Sequence, residues 1–210
     1  QFRLNEAWNS PTNLALLDQM PDLFRSSGDA STSNSTRLQV LTGPDALFGR
    51  DLYNGRQVGP GLQTIIDGFS NTILIVEVGA DRAVPWTAPD DVIFDRSNPL
   101  AALGTLSSGE IPVLMADGSV MSLGIDMLPQ YLPALASRDG GEILNFEGVR
   151  QLESQRAGKM PGGGTALKNQ FQSVALAMHN FHDVFNRFPM YDDWHYFGPD
   201  AKPFLSWRVF

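Results

Sequence analysis

The sequence of 210 residues contains no cysteine. Disulfide bonds, cysteine-ligated zinc, iron–sulfur clusters and a cysteine nucleophile are therefore excluded for this chain. Long apolar runs are also missing, since no stretch approaches the roughly 18 consecutive apolar residues that a membrane helix needs. We predict no membrane span in this segment. The chain opens with Gln1-Phe2-Arg3 rather than with Met or a signal peptide, as we expect of a processed or excised piece.

Charged residues make up only 18% of the chain, and 23 acidic residues outnumber 15 basic ones, for a net charge of −8. A protein without a basic surplus has little to attract a phosphate backbone, so we do not expect nucleic acid as a partner. Motifs of nucleotide binding and hydrolysis are missing too: there is no Walker loop, dinucleotide fingerprint, Gly-x-Ser-x-Gly or His-Glu-x-x-His. These absences predict a protein that is not an enzyme and carries no cofactor.

A β-hairpin is the clearest local pattern in what remains. Two apolar runs, 111–116 and 119–123, flank Asp117 and Gly118. This Asp-Gly dipeptide accepts the positive φ angles of a type I′ turn, so we predict structural turn roles for both residues.

Other elements follow from apolar spacing, caps and turn residues. Three prolines argue against regular structure over 81–100, which we predict to be an ordered loop. The remaining predictions are strands near 38–41, at 62–66 and at 72–78, a helix at 11–19 capped by Ser10, and a short helix capped by Asp126.

Glycine and polar residues fill 150–164, which ends in three consecutive glycines. We predict a linker there. Residues 1–149 would form the body of the protein, and 165–210 a second segment that begins with a long helix.

The helix of that second segment carries the strongest periodicity in the sequence. Its apolar residues alternate gaps of four and three, which fits either a coiled-coil seam or a single helix lying along a sheet. With only about three heptads and a high Phe content, the second interpretation is favoured. We therefore predict an α+β fold, with one long amphipathic helix packed on a mostly antiparallel sheet and a loop-rich insertion. The stripe consists of Leu167, Phe171, Val174, Met178, Phe181, Phe185 and Phe188.

Several separated segments share unusual residues with one known pattern. They include LAMHNFHDVFNRFP, KPFLSWRVF, PTNLALLDQMPDLFR, IIDGFSNTILIVE and VLMADGSV. Together they resemble a large planctomycete family of uncharacterised exported proteins, which open with a prepilin-type segment and carry a His-x(9)-Asp-Gly signature. The resemblance implies a pilin-like fold, an extracytoplasmic location (secreted, periplasmic or cell surface), and a structural or interaction role.

The order of these segments differs from the family. There the long helix and the Ser-Trp-Arg text come first, whereas here both follow the linker. A circular permutation and a cut through a tandem array both fit. We favour the tandem cut, in which 165–210 begins the next repeat.

Three positions also depart from the family pattern. The residue ten places before Asp117 is Ser107 rather than His, so no role of that His is carried over. Family members often have one Cys near the helix start and another after the MPD-x-x-R text, where this chain has Leu167 and Ser26. Because this chain lacks both, the resemblance implies that the two cysteines of the family form a disulfide. It therefore implies that the start of the helix and the loop lie close together.

Two polar features are candidate sites. His179, His182 and Asp183 are spaced i, i+3 and i+4, so one helix face could present them to a divalent metal; histidines bonded to backbone carbonyls are the favoured alternative. Glu77 follows an apolar run and should need a partner, Arg82 or an Arg from elsewhere, in a structural ion pair. The acidic segments 67–71 and 90–91 lack calcium-loop spacing and are predicted to form turns and caps.

Aromatic residues offer a third candidate. If exposed, Trp86, Tyr191, Trp194 and Tyr196 would form a stacking platform for a glycan or a protein; if buried, they belong to the core, which is favoured for any single ring. The sequence thus predicts a structural or interaction module whose partners are other proteins or neighbouring repeats. The alternative is a protein that binds a small solute or a glycan through these loops.

Overall fold

The structure, a computed structural model, describes residues 1–26, 29–30, 33–49, 51–53, 56–142, 164–190 and 205–209. Helices and mainly antiparallel sheets are mixed in it, in agreement with the predicted α+β class. The α-helices of these ranges are α1 (Pro11–Leu14), α2 (Leu128–Ala136) and α3 (Gly164–Phe185). The strands are β1 (Ser35–Thr36), β2 (Leu38–Gln39), β3 (Leu41–Thr42), β4 (Leu52–Tyr53), β5 (Arg56–Gln57), β6 (Ile73–Glu77), β7 (Val84–Pro85), β8 (Val92–Ile93), β9 (Glu110–Met115) and β10 (Val120–Gly124).

The central element is a four-stranded antiparallel sheet in the order β10-β9-β6-β2. Val113 of β9 pairs with Val76 of β6 on one side and with Met121 of β10 on the other. All five residues of β6 are buried, as the prediction of a buried strand at 72–78 requires. Around the sheet lie three short pairs, of which β1–β7 and β4–β5 are antiparallel and β3–β8 is parallel.

The two faces of the sheet belong to two different hydrophobic clusters, because side chains alternate along each strand. On one face, Leu74 and Leu114 share a cluster with side chains of α3. On the other, Val76 and Val113 share a cluster with side chains of α2. Full burial of one large apolar side chain contributes about 1.5–3 kcal/mol, so each cluster gives a substantial part of the stability. The α3 residues in the first cluster are Leu167, Phe171, Val174, Ala175 and Met178, and the α2 residues in the second are Leu128, Leu132, Leu135 and Ala136.

The predicted hairpin is confirmed, but its turn differs from the expected type. The Gly118 amide donates to the Met115 carbonyl at 2.9 Å, and the Met115 amide donates to the Ser119 carbonyl at 2.8 Å. Gly118 has φ 82°, whereas Asp117 is not among the residues with positive φ. A type I′ turn needs two positive φ angles, so the connection is a turn followed by a glycine bulge. The Asp117 carboxylate accepts the Ser119 amide at 2.8 Å and holds the turn.

Three other local predictions need correction. Residues 62–66 form no strand: Leu62–Thr64 is a 3₁₀ turn closed by the Ile65 amide on the Leu62 carbonyl. The first helix covers only Pro11–Leu14, although the Ser10 hydroxyl does cap it by accepting the Asn13 amide. The position before α2 is Met127, with no side-chain cap, so the capping role of Asp126 is wrong.

Helix α3 begins at Gly164, the last residue of the predicted linker, and the rest of that linker lies outside the described residues. The helix ends where Asn186 adopts φ 61° and its amide donates to the His182 carbonyl at 2.6 Å. The first four members of its apolar stripe are buried, but Phe181 is only half-buried and Phe185 is 39% exposed. Their rings pack on each other at 4.4 Å, outside the core.

The start of α3 lies against the loop that ends the first segment. The Gln170 side-chain amide donates to the Leu23 carbonyl at 2.7 Å and to the Arg25 carbonyl at 2.6 Å. This contact agrees with the expected proximity of the helix start to the loop at Ser26. No helix in the described ranges is both long enough and apolar enough to cross a bilayer.

Candidate functional site

A cleft of about 350 Å³ opens where β6 ends and β9 begins. It lies on the α3 side of the sheet, and Leu167, near the start of α3, closes one wall. Ser107 also lines it. Its other polar lining residues are Asp29, Arg37, Glu77, Ser108 and Glu110.

Strand alternation explains why two carboxylates reach this cleft. Glu77 alternates with Val76, which faces the α2 cluster, and Glu110 alternates with Ile111, which faces the same cluster. Both glutamates therefore face the α3 side. Only the first residue of the apolar stripe of α3, Leu167, reaches this end of the sheet, so the space beside it is lined by polar groups.

Glu77 forms a buried ion pair, as predicted, but not with Arg82. Its Oε1 lies 2.6 Å from Arg37 Nη2, and Arg37 also lies 3.4 Å from Asp29. Burial raises the pKa of Glu77, and the charge of Arg37 partly opposes that shift. Arg82 is exposed and donates to the Ala101 carbonyl at 3.2 Å, because it lies in a 3₁₀ turn beyond the end of β6.

Glu110 lines the same cleft without a partner. It is only 9% exposed, yet its carboxylate has no hydrogen bond or ion pair within the described part of the chain. Among the described lining residues, three carboxylates and one guanidinium give the cleft a formal charge of −2. The cleft therefore offers hydrogen-bond acceptors and carries negative charge that Arg37 does not balance.

The candidate metal ligands on α3 are held in other contacts. His179 Nε2 lies 2.9 Å from the Ala116 carbonyl, and His182 Nε2 accepts the Leu62 amide at 3.1 Å. Both imidazoles pack against the ring of Phe188, and burial lowers the pKa of His182. Asp183 is exposed. No three acidic, histidine or cysteine side chains of the described residues are placed to share a metal ion. The favoured alternative, a bond to a backbone carbonyl, is found for His179, whereas His182 bonds to a backbone amide instead.

Trp86 belongs to the core and not to an exposed platform. It is 4% exposed, its indole donates to the Leu17 carbonyl at 3.0 Å, and its ring stacks on Phe24 at 6.1 Å. The ligand-binding role predicted for Trp86 is therefore wrong. The other three members of the proposed platform, Tyr191, Trp194 and Tyr196, lie outside the described residues.

A second buried ion pair was not anticipated from the sequence. Arg208, in the Ser-Trp-Arg text, pairs with Asp91, and both side chains are fully buried. Arg208 Nε also donates to the Leu38 carbonyl at 3.1 Å, while Asp91 accepts the Val40 amide at 3.0 Å and the Trp207 indole at 3.2 Å. These bonds fasten residues 205–209 to the sheet.

An apolar groove of about 240 Å³ lies between α3, the 3₁₀ turn Asp22–Phe24 and residues 207–209. Beside it α3 exposes further apolar groups: Val184 is 74% exposed and Leu176 63% exposed. We call Ala177, Phe181, Val184 and Phe185 the outer strip of α3. They are spaced i, i+4, i+7 and i+8, so they share one side of the helix.

No protein-family model, no curated protein and no solved structure matches this chain. The resemblance to the planctomycete family stays a prediction.

Proposed function

We propose that the protein is a non-enzymatic, pilin-like structural and interaction module of a larger cell-surface or secreted protein. The outer strip of α3 carries this proposal. A helix at the surface of a domain normally presents polar residues to water, whereas this strip presents an aromatic pair and an isolated valine beside an open apolar groove. Such a surface is typical of a protein contact.

The arrangement of α3 supports the pilin-like part of the proposal. Its buried apolar residues share a cluster with Leu74 and Ile75 of β6 and Leu114 of β9, so the helix is anchored along that side. Val184 and Leu176, which are 74% and 63% exposed, then remain accessible to a neighbour. The partners we propose are copies or neighbouring repeats of the same module, because such units carry the same strip and groove and can pair apolar groups reciprocally.

A non-enzymatic role is supported by how the candidate catalytic groups are used. Glu77 is in an ion pair with Arg37, and His182 accepts a backbone amide. The alternative, a glycan binder with an aromatic platform, loses Trp86 to the core. The proposed extracytoplasmic location rests on the family resemblance alone.

The test replaces one exposed valine by lysine. Val184→Lys puts a charge into the outer strip, and lysine is well tolerated in helices. Ile93→Lys is the matched control, since Ile93 is a β-branched residue of equal exposure, 76%, on β8. Sedimentation velocity of the wild type should show reversible association, which Val184→Lys should weaken about tenfold or more, the effect of losing one buried valine.

Two results would contradict the proposal. The first is a wild type that stays monomeric over the whole accessible concentration range. The second is equal weakening of association by Ile93→Lys, which would assign the effect to added charge in general.

A further inference from the structure

The starting observation is the unpartnered carboxylate of Glu110. Glu110 is 9% exposed and lines the cleft at the end of the sheet. Its carboxylate oxygens open onto the cleft and meet no donor among the described residues, so a donor on a ligand can bond to them.

The charges around Glu110 define the chemistry of that partner. Arg37 is already engaged by Glu77 and Asp29, so the carboxylate of Glu110 is in excess. An anion is disfavoured by the formal charge of −2. A metal ion is disfavoured because the described residues bring no three acidic or histidine side chains together. An ammonium group needs only hydrogen-bond acceptors at ordinary distances, and the carboxylates and hydroxyls of the cleft supply them.

We propose that this cleft binds a small organic ligand with a primary ammonium group, which donates to the carboxylate of Glu110. The volume of about 350 Å³ falls within the range of small-molecule sites, roughly 300–1,000 Å³. Pro112 and Leu167 provide apolar walls for the carbon chain of the ligand. This inference goes beyond the proposed function and does not depend on it, since the outer strip of α3 uses other residues.

The probe is 1,4-diaminobutane, a dication that matches the charge of the cleft, titrated into the full 210-residue chain by isothermal calorimetry. Glu110→Gln keeps the shape and removes the charge, and we expect it to weaken binding about 10- to 100-fold, as the loss of one charged hydrogen bond does. Glu6→Gln is the matched control, because it changes the net charge equally but lies in an exposed ion pair with Arg3. It should leave the affinity unchanged.

Thermal unfolding without ligand separates binding from folding. Glu110→Gln should unfold at or above the wild-type temperature, so lost binding cannot be ascribed to a lost fold. Tetramethylammonium, which has no N–H donor, should not bind. The proposal is overturned if 1,4-diaminobutane does not bind saturably to the wild type, if Glu110→Gln binds it equally well, or if Glu6→Gln weakens it to the same degree.

Discussion

Two acidic residues of this protein have different surroundings. Asp91 has a fully buried side chain surrounded by donors: the Arg208 guanidinium, the Val40 amide and the Trp207 indole. Glu110 is 9% exposed, has no donor among the described residues and lies in an open cleft. A buried carboxylate with complete partners holds two segments together, whereas one without partners is available to a ligand.

The two glutamates of the cleft extend the comparison. Glu77 and Glu110 lie on neighbouring antiparallel strands and on the same side of the sheet, yet only Glu77 meets Arg37. The negative charge of Glu77 is therefore offset within the protein. The negative charge of Glu110 is not offset by any described residue and is available to a bound cation.

The largest effect should come from removing Arg208. Arg208→Ala leaves Asp91 buried without its counter-charge, which typically destabilises a protein by about 3–5 kcal/mol. Urea denaturation would measure the loss. Arg3→Ala, which breaks the exposed pair with Glu6, should change the free energy of unfolding by less than about 1 kcal/mol. A similar small change for Arg208→Ala would show that Asp91 and Arg208 do not fasten the C-terminal segment.

The next effect is a dependence of stability on pH. Burial raises the pKa of Asp91 to about 6 from its ordinary 3.8, more than Arg208 and the surrounding donors lower it. Between pH 4 and 6 the folded state therefore holds a proton that the unfolded state has released, so the free energy of unfolding falls as the pH rises through this window. The shift corresponds to a change on the order of 3 kcal/mol.

Asp91→Asn isolates this contribution. Glu77 also has a raised pKa and His182 a lowered one, but both contribute equally to wild type and variant. The difference in unfolding free energy between wild type and Asp91→Asn should therefore change between pH 4 and 6 and be constant above it. A constant difference across the whole range would contradict the raised pKa.

The smallest effect is expected at Glu110. Glu110→Gln removes a charge that has no partner in the described residues, so the free energy of unfolding should rise or change by less than about 1 kcal/mol. Chemical denaturation of Glu110→Gln and Asp91→Asn under the same conditions would compare their free energies of unfolding directly. A loss as large as that of Asp91→Asn would mean that Glu110 is a structural residue, and the contrast between the two carboxylates would be lost.

Local pattern predicted the elements whose residues interact with near neighbours. The Asp117-Gly118 hairpin, the Ser10 cap and the buried strand at 72–78 all depend on turn chemistry or on short-range alternation, and each is present. The predicted strand at 62–66 is wrong: Leu62–Thr64 is a 3₁₀ turn, and Ile65 is buried whereas Ile66 is 78% exposed. Apolar composition alone does not distinguish a paired strand, as at 72–78, from a 3₁₀ turn, as at 62–64.

The site was less predictable than the elements. The sequence indicated that Glu77 needs an arginine, because a carboxylate next to an apolar run is costly to bury. It did not identify Arg37, which is 40 residues away and meets Glu77 only because β2 pairs with β6. Arg208 and Asp91 are farther apart still, separated by 117 positions. Arg208 stands among the apolar residues of FLSWRVF, but nothing in that segment identifies Asp91 as its partner.

The sequence by itself determined the absence of cysteine chemistry, the acidic charge, the hairpin and the amphipathic helix, because composition and short-range periodicity are properties of the chain. Only the tertiary structure decided which charges meet. It buried Trp86, directed His179 and His182 to backbone groups, joined Arg208 to Asp91 and left Glu110 without an ion-pair partner among the described residues. The physical reason is that the cost of a buried polar group depends on its partners, and those partners come from distant parts of the chain that only folding brings together.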